Sequence, residues 1–451
     1  MLDLTNIIKN HTTPVPRYTS YPTAPHFQPD LGLQILTETL VELPAEERLS
    51  LYLHIPFCDR LCWFCGCNTK QVNRYSPVSS YIDALLKEIE LIGLQLGGKR
   101  KAEEIHFGGG SPSLLYPGDF ARLSLALNKA FLIDESTKVS VEIDPNDATP
   151  DLFQGLKIIR MSRASIGVQD FDSAVQKAIN RPQTFEDTRA LVEQLRSSGI
   201  NSINIDALYG LPLQTKPKLQ STIEKIISMQ PNRVALFGYA HVPWVKKHQK
   251  MIRDEDLPKS QERFEQAQLA QSLLIQAGYV KIGIDHYAKP DDSLAIAAKT
   301  GELRRNFQGY TDDKLSTLIG LGGSSIGQSN LGYFQNLVPT GQYTMAVNNG
   351  LLPTSKGYRF TQDDKIRSWI IEQLMCNFSF SFEKLIRQFG NLAQPYIGEA
   401  IEISKRDSIG VCETVEDRFT IRPEAEPLTR IIASKFDAHL GRGQFKYSQA
   451  V

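Results

Sequence analysis

The chain has 451 residues, 41% hydrophobic and 22% charged, with fifty Lys and Arg matched by fifty Asp and Glu. That is the balance of a globular protein with room for one large domain and smaller ones, and without the net field that would draw it to nucleic acid or an anionic membrane. No apolar run approaches the roughly 20 residues needed to span a bilayer, and MLDLTNIIKNH lacks the apolar core of a signal peptide, so a reducing cytoplasm and no membrane span are expected.

Residues 1–48 are expected to form an N-terminal arm, because VPRYTSYPTAPHFQPD carries four prolines and has neither helical nor strand period. LSLYLH then reads as a buried strand that ends where the cysteines begin. Cys58, Cys62 and Cys65 stand in C-x3-C-x2-C spacing with Cys67 two residues on, so that four of six cysteines fall within ten residues. Three thiolates on so short a loop suit one iron–sulfur cluster, since soft sulfur ligands select iron or zinc. A four-iron four-sulfur cluster held by three cysteines leaves one iron open to a chelating molecule. Cys67 reads as a fourth ligand, a substrate-side thiol or packing, and the last two are preferred. A structural zinc site is the distant alternative, although zinc knuckles usually join two pairs across a longer arm. Cys376 and Cys412 are far apart in sequence and read as incidental thiols.

The cysteine spacing after a strand resembles the signature of radical S-adenosylmethionine enzymes. YLHIPFC with the CGCN tail resembles one branch of them, the oxygen-independent coproporphyrinogen III oxidases.

Beyond the loop, strand-like and helix-like runs alternate. SSYIDALLKEIELIGLQL, FARLSLALNKAFL and DTRALVEQLRSSG read as helices, and EEIHFGGG, KVSVEIDP, SRASIGVQDF, INSINIDALYGLP and NRVALFGYAHVP as strands. With LYLHIP, six strands precede residue 245, each followed by enough chain for a crossover. The expected fold is therefore α/β, a partial (β/α)6 barrel over residues 49–355, the barrel of the resembled superfamily. SQERFEQAQLAQSLLIQAGY reads as a further helix, and LIGLGGSSIG as a glycine-rich loop that closes the cavity or carries a backbone contact. Residues 356–451 read as a small, mostly helical, winged-helix-like domain with a lid or packing role.

Ligands in such sheets bind at the C-terminal ends of strands. That rule selects the cysteine loop, Gly108–Pro112, Glu142 and Asp144, Gln169, Asp206, and Ala240 with His241. The glycine turn should let a ligand approach the backbone and offer it free N–H groups.

By resemblance, Glu142, Gln169, Arg181 and Asp206 match positions that contact S-adenosylmethionine. Tyr52, Phe64, Gly109, Gly110, Ser111, Ala240 and Ile326 complete two sites for it, with Tyr52 and Phe64 flanking the cluster. Arg181 should hold a carboxylate bidentately. VPRYTSYPT resembles an arm near the family's active site, so Arg17, beside Tyr18 and Tyr21, becomes with Cys67 a substrate-side candidate. Two departures are visible: serines at 111 and 113 replace threonines, and Ser162 stands where asparagine is common.

The resemblance implies oxidative decarboxylation of two propionates of coproporphyrinogen III to vinyls, giving protoporphyrinogen IX in haem biosynthesis through a 5′-deoxyadenosyl radical. It also implies separate, unidentified electron donor and acceptor and a monomeric enzyme. A haem chaperone or haem-degrading relative shares the barrel and cysteine loop. The arm and the CNF-containing C-terminal region distinguish the oxidases from it.

Overall fold

The computed structural model describes residues 14–441 and 446–447. Its main sheet begins with a short edge strand, β1 (Gln28–Pro29), followed by helix α1 (Leu31–Glu42). The six strands read from the sequence come next: β2 (Arg48–Ile55), β3 (Lys101–Gly109), β4 (Lys138–Ile143), β5 (Arg163–Gln169), β6 (Ser202–Tyr209) and β7 (Arg233–Gly238). They lie side by side in chain order and all pair in parallel. The crossovers carry α2 (Ser76–Gln95), α3 (Pro117–Ala130), α4 (Pro150–Ile158), α5 (Phe185–Ser197) and α6 (Lys216–Ser228), with α7 (Ser260–Gln276) following β7. Parallel strands joined this way are covered by their crossover helices, and the strand residues facing them are apolar. Leu51, Leu53 and Ile55 pack with Ile82, Leu85 and Ile89 of α2 and Phe107 of β3, all fully or almost fully buried.

The sheet continues at both edges, through β8 (Val280–Ile282), β9 (His286–Ala288), β10 (Thr317–Leu321), β11 (Ile326–Ser329), β12 (Gly332–Asn336) and β13 (Thr354–Arg359). The full order is β1-β13-β12-β11-β10-β2-β3-β4-β5-β6-β7-β9-β8. β10 pairs in parallel with β2, in the register Gly320 opposite Tyr52, and is a seventh parallel strand. LIGLGGSSIG is therefore not a closing loop but β10, a turn and the start of β11. Its glycines mark close packing of backbone. A Cβ on Gly320 would lie 2.8 Å from the Ile326 carbonyl carbon, which is why an apolar strand here looks like a loop.

After β13, helices Gln362–Asn377, Phe382–Phe389 and Gln394–Lys405 surround a three-stranded antiparallel sheet of Ser379–Ser381, Arg418–Ile421 and Cys412–Val415. Ile370, Leu374, Phe380, Phe419 and Phe436 form a second core that also takes in Tyr18 and Tyr21 of the arm. The described part of the arm from residue 14 to 27 has little regular backbone and is nonetheless strapped down. Tyr18 donates to Asp437 at 3.0 Å, Tyr21 Oη accepts the Ala438 N–H at 3.0 Å, and both rings are buried.

Candidate functional site

The cysteine loop leaves the C-terminal end of β2. Phe57–Cys58 pairs in parallel with Lys70–Gln71 and closes the loop at its base. Backbone groups of such a loop need partners if they are to be ordered, and two segments distant in sequence and one residue of β2 supply them. Trp63 N–H donates to Ile179 O at 2.9 Å and Asn180 Nδ2 to Leu61 O at 3.0 Å. Beyond β7, Lys246 Nζ bonds Cys67 O (2.9 Å), His248 Nε2 bonds Cys65 O (2.8 Å) and Gln249 Nε2 bonds Phe64 O (2.9 Å). His54 Nε2 bonds Asn68 O at 2.9 Å.

Each of the three spaced thiols has one polar neighbour. Cys58 Sγ lies 3.1 Å from Thr69 Oγ1, Cys62 Sγ accepts from Arg181 at 3.4 Å, and Cys65 Sγ accepts the Cys67 N–H at 3.3 Å. Burial pushes the Cys58 thiol up to about 12, against the pull of Thr69. Burial also raises Cys62, opposed by Arg181. Hydrogen bonds from the Cys67 thiol and N–H draw Cys65 down to about 7, and the same contact raises Cys67 well above the usual range.

All three thiols line one cavity of about 160 Å³ together with Phe64, Cys67, Gly109, Gly110, Ser111, Glu142, Gln169, Arg181 and Asp206. Cys67, Glu142 and Asp206 also line a second cavity, about 310 Å³, inside the barrel. Cys67 is the exposed member of the four, and its surface faces these cavities.

Among the described residues, no three His, Cys, Asp or Glu side chains converge on a point that could hold a single metal ion. Three half-buried thiols opening on one space, each with a polar neighbour, fit a cofactor of several irons better than one zinc.

The glycine turn differs from expectation. Its N–H groups are engaged: Gly109 donates to Glu142 Oε2 (3.0 Å), Gly110 to Ile55 O (2.8 Å) and Ser111 to Phe57 O (2.7 Å). Glycine is needed there because a Cβ on Gly110 would meet Phe57 O at 2.5 Å and Thr69 Oγ1 at 2.6 Å, so the turn seats the cysteine loop. Burial works against the charge on Glu142, yet the His106 hydrogen bond (3.2 Å) and the Gly109 N–H outweigh it and lower its pKa. Burial and the Glu142 charge raise Asp206 to about 6. Two carboxyls on one cavity are thus set apart in acidity. Gln169 sits at a register shift with φ of +68°, and such a bulge re-aims a side chain.

Arg181 is not the open fork that was expected. It donates to Asp144 (2.9 Å), Gly167 O (2.6 Å) and Cys62, while its Nε is buried without a hydrogen-bond partner. Nε is thus the one guanidinium nitrogen without a partner, and no open fork is left for a ligand.

Tyr52, Ala240 and Ile326 line neither cavity. Tyr52 stacks on His106 and bonds His54 at 3.0 Å. Ile326 abuts Gly320, the register partner of Tyr52. Ala240 O accepts from the same Gln249 amide that bonds Phe64 O. Arg17 also lies off the cavity walls: half-buried, it donates to Gly238 O at 2.8 Å, and desolvation followed by the Arg430 charge lowers its pKa to about 10. The substitutions are accommodated. Ser113 donates to Asp147 (2.6 Å), and Ser162 bridges both backbone groups of Val139.

Sequence reasoning missed His106, Thr69, Lys246, His248 and Gln249. His106 had a usable signal, since it alternates with Gly108 on the inward face of β3.

Comparison with known proteins gives a match over residues 52–226 to the family described as the radical SAM superfamily. The chain is 44% identical to the oxygen-independent coproporphyrinogen III oxidase of Bradyrhizobium diazoefficiens, covering 97% of each chain. It is 43% identical to the anaerobic coproporphyrinogen III oxidase 1 of Cereibacter sphaeroides, covering 97% of this chain and 96% of that one. The solved coproporphyrinogen III oxidase of Escherichia coli, a radical SAM enzyme, superposes with a TM-score of 0.90 at 35% identity, covering 97% of this chain and 99% of that one.

Proposed function

The chain belongs to the oxygen-independent coproporphyrinogen III oxidases, within the radical S-adenosylmethionine superfamily, and from this we propose that it decarboxylates two propionates of coproporphyrinogen III to vinyls, giving protoporphyrinogen IX for haem biosynthesis. The observation that carries the reading is the single cavity on which three spaced thiols open beside Glu142, Gln169, Arg181 and Asp206.

We assign Cys58, Cys62 and Cys65 as the ligands of one four-iron four-sulfur cluster, with S-adenosylmethionine beside it and a second S-adenosylmethionine in the adjoining space. Together these groups supply one-electron cleavage chemistry that lets a hydrogen atom be taken from a propionate. The chain's own residues position and insulate. Thr69, Arg181 and the Cys67 N–H orient the three sulfurs. Glu142, held ionised by His106 and Gly109, suits an ammonium or ribose hydroxyls, and Asp206 and Gln169 supply further polar contacts on the same wall. Arg181 contributes its free Nε to a carboxylate while it keeps Asp144. Cys67 opens on both cavities, which favours a substrate-side role over ligation. Tyr52, Ala240 and Ile326 support this wall from behind, Tyr52 through His106 and Ala240 through Gln249. Arg17, engaged at Gly238, is assigned to holding the arm down.

A cytoplasmic, monomeric enzyme with a separate electron donor and acceptor completes the proposal. The same proposal keeps the arm, barrel and C-terminal region, at 1–48, 49–355 and 356–451, as its three parts. An anaerobic assay of coproporphyrinogen III with reductant and S-adenosylmethionine tests it. Protoporphyrinogen should appear, and its absence from protein with a full iron–sulfur spectrum refutes the substrate assignment.

A further inference from the structure

The row of the sheet that carries Asp206 continues to a histidine. Asp206 of β6 lies opposite Ala235 of β7, and Ala235 lies opposite His286 of β9. Residues paired across neighbouring strands share a face, and all three line the larger cavity. Adjacent strands run about 5 Å apart, so the acid and the imidazole leave the backbone roughly 10 Å from one another. Only the Ala235 methyl stands between them.

The His286 side chain is 10% exposed and held on three sides. Nδ1 bonds Asp285 Oδ1 at 2.8 Å, and the rings of Phe237 and Tyr310 meet the imidazole edge to face with centroids 5.2 and 5.1 Å away. Asp285 is itself fixed by Arg430 at 3.4 Å. Nε2 differs, since among the described residues it has no hydrogen-bond partner. It faces Gly309, where φ is +126° and the missing side chain leaves the space before the nitrogen open; a Cβ there would stand 3.6 Å from Nε2. A carboxylate thus orients the ring from behind while its other nitrogen is turned to the cavity.

The other basic groups on this cavity are engaged. Arg163 and Arg233 are the first residues of β5 and β7, at the end of the strands away from the thiols, and they bond Ser202 (3.2 Å) and Asp292 (2.7 Å). His106 uses both ring nitrogens, on Ser140 and Glu142. A carboxylate entering beside Glu142 and Asp206 meets like charge, and His286 Nε2 is the basic atom there without a partner. We propose that His286, oriented by Asp285, holds a propionate carboxylate of the tetrapyrrole through Nε2–H, its ring cationic between two carboxylates. The proposal rests on the substrate reading above. It sets the propionate one alanine away from Asp206, beside the wall assigned to S-adenosylmethionine.

Coproporphyrin III, the stable oxidised tetracarboxylate, is the binding probe, titrated by fluorescence into anaerobically purified protein. The variant His286→Phe keeps a ring and loses both nitrogens. Its iron–sulfur absorption and its reductive cleavage of S-adenosylmethionine should stay within twofold of the parent. Its dissociation constant for coproporphyrin III and its KM for coproporphyrinogen III should each rise at least tenfold, the least expected for a lost charge-assisted hydrogen bond. His286→Gln, which keeps an N–H donor, should recover part of that loss. Asp285→Asn should weaken binding in the parent and add nothing in His286→Phe, as a positioning residue does. Parent-like binding and KM in His286→Phe overturn the proposal. So does weakened S-adenosylmethionine binding with an unchanged constant for coproporphyrin III, which makes His286 a cofactor contact. So does an equal loss in the Gln and Phe variants together with loss of iron, the mark of a packing residue. A parent with full iron–sulfur absorption that neither binds coproporphyrin III nor yields protoporphyrinogen refutes instead the substrate reading on which the proposal rests.

Discussion

Replacing Arg181 tests how the cavity wall is assembled. Its guanidinium makes three contacts at once, to Asp144, Gly167 O and Cys62 Sγ, and the ion pair is deep, with side chains 10% and 14% exposed. A lysine ammonium at that distance keeps one of them. Hydrogen bonds to a charged group are worth roughly 1.5–3 kcal/mol, and the sulfur contact is the weakest, so Arg181→Lys should cost about 2–4 kcal/mol. Unfolding entropy of about 2 cal/mol/K per residue, over a chain of this length, turns that into a fall of about 2–4 °C in Tm. Asp144→Asn should cost more, about 3–5 kcal/mol, because it leaves a buried guanidinium without its anion. The double variant Arg181→Gln/Asp144→Asn should fall short of the sum of its two single variants by about 1–3 kcal/mol, the signature of a coupled pair. Thermal melts give the energies, and iron per chain with the visible spectrum reports the Cys62 contact, which Arg181→Lys should weaken and Asp144→Asn should spare. Additive energies and parent-like iron content in Arg181→Lys would refute the reasoning. If that variant then lost only S-adenosylmethionine binding, Arg181 would be a ligand contact first and a brace second.

Serine at Cys58, Cys62 or Cys65 should abolish the iron–sulfur absorption, while Cys67→Ser keeps it and loses product formation; equal loss of absorption in all four proteins contradicts the assignment. Glu88, 1% exposed, accepts from Tyr343, Asn336 and the Gly322 N–H, yet burial outweighs these and lifts its pKa to about 7. A raised carboxyl stays protonated in the fold after it has ionised in the unfolded chain, so its share of stability is full below pH 4.5 and declines by about 3 kcal/mol up to pH 7. Urea unfolding at pH 5 and pH 8 should show that decline in the parent and not in Glu88→Gln, and identical slopes would remove Glu88 from the account. Tyr18→Ala and Tyr21→Ala empty sockets in the second core and should each cost about 3–5 kcal/mol, whereas Tyr18→Phe, which loses one hydrogen bond to Asp437, should cost only about 1 kcal/mol. Deletion of residues 1–22 with an unchanged melt would return the arm to a dispensable terminus.

What was legible in the sequence follows from what periodicity and spacing encode. The six strands β2–β7 announced themselves because parallel strands are apolar on the helix-covered face and punctuated by turn residues. Their C-terminal ends brought Glu142, Gln169 and Asp206 to one cavity without any ligand being specified. The seventh strand stayed hidden because its glycines serve close backbone packing, which composition alone renders as a loop. Arg181 illustrates a second limit. A lone arginine after a strand end signals an anion, and here the nearest anion is the chain's own Asp144, so the residue type was informative while the partner was not.

The braces of the cysteine loop lay beyond reach for a related reason. His248 and Gln249 act through single hydrogen bonds to carbonyls more than 180 residues earlier. No local period encodes such a bond, and the run PWVKKHQKM reads as solvated loop. The distinction has a practical edge, since residues that define a cavity wall are recoverable from strand ends, whereas residues that brace its loop from behind are found only once the fold sets distant segments side by side.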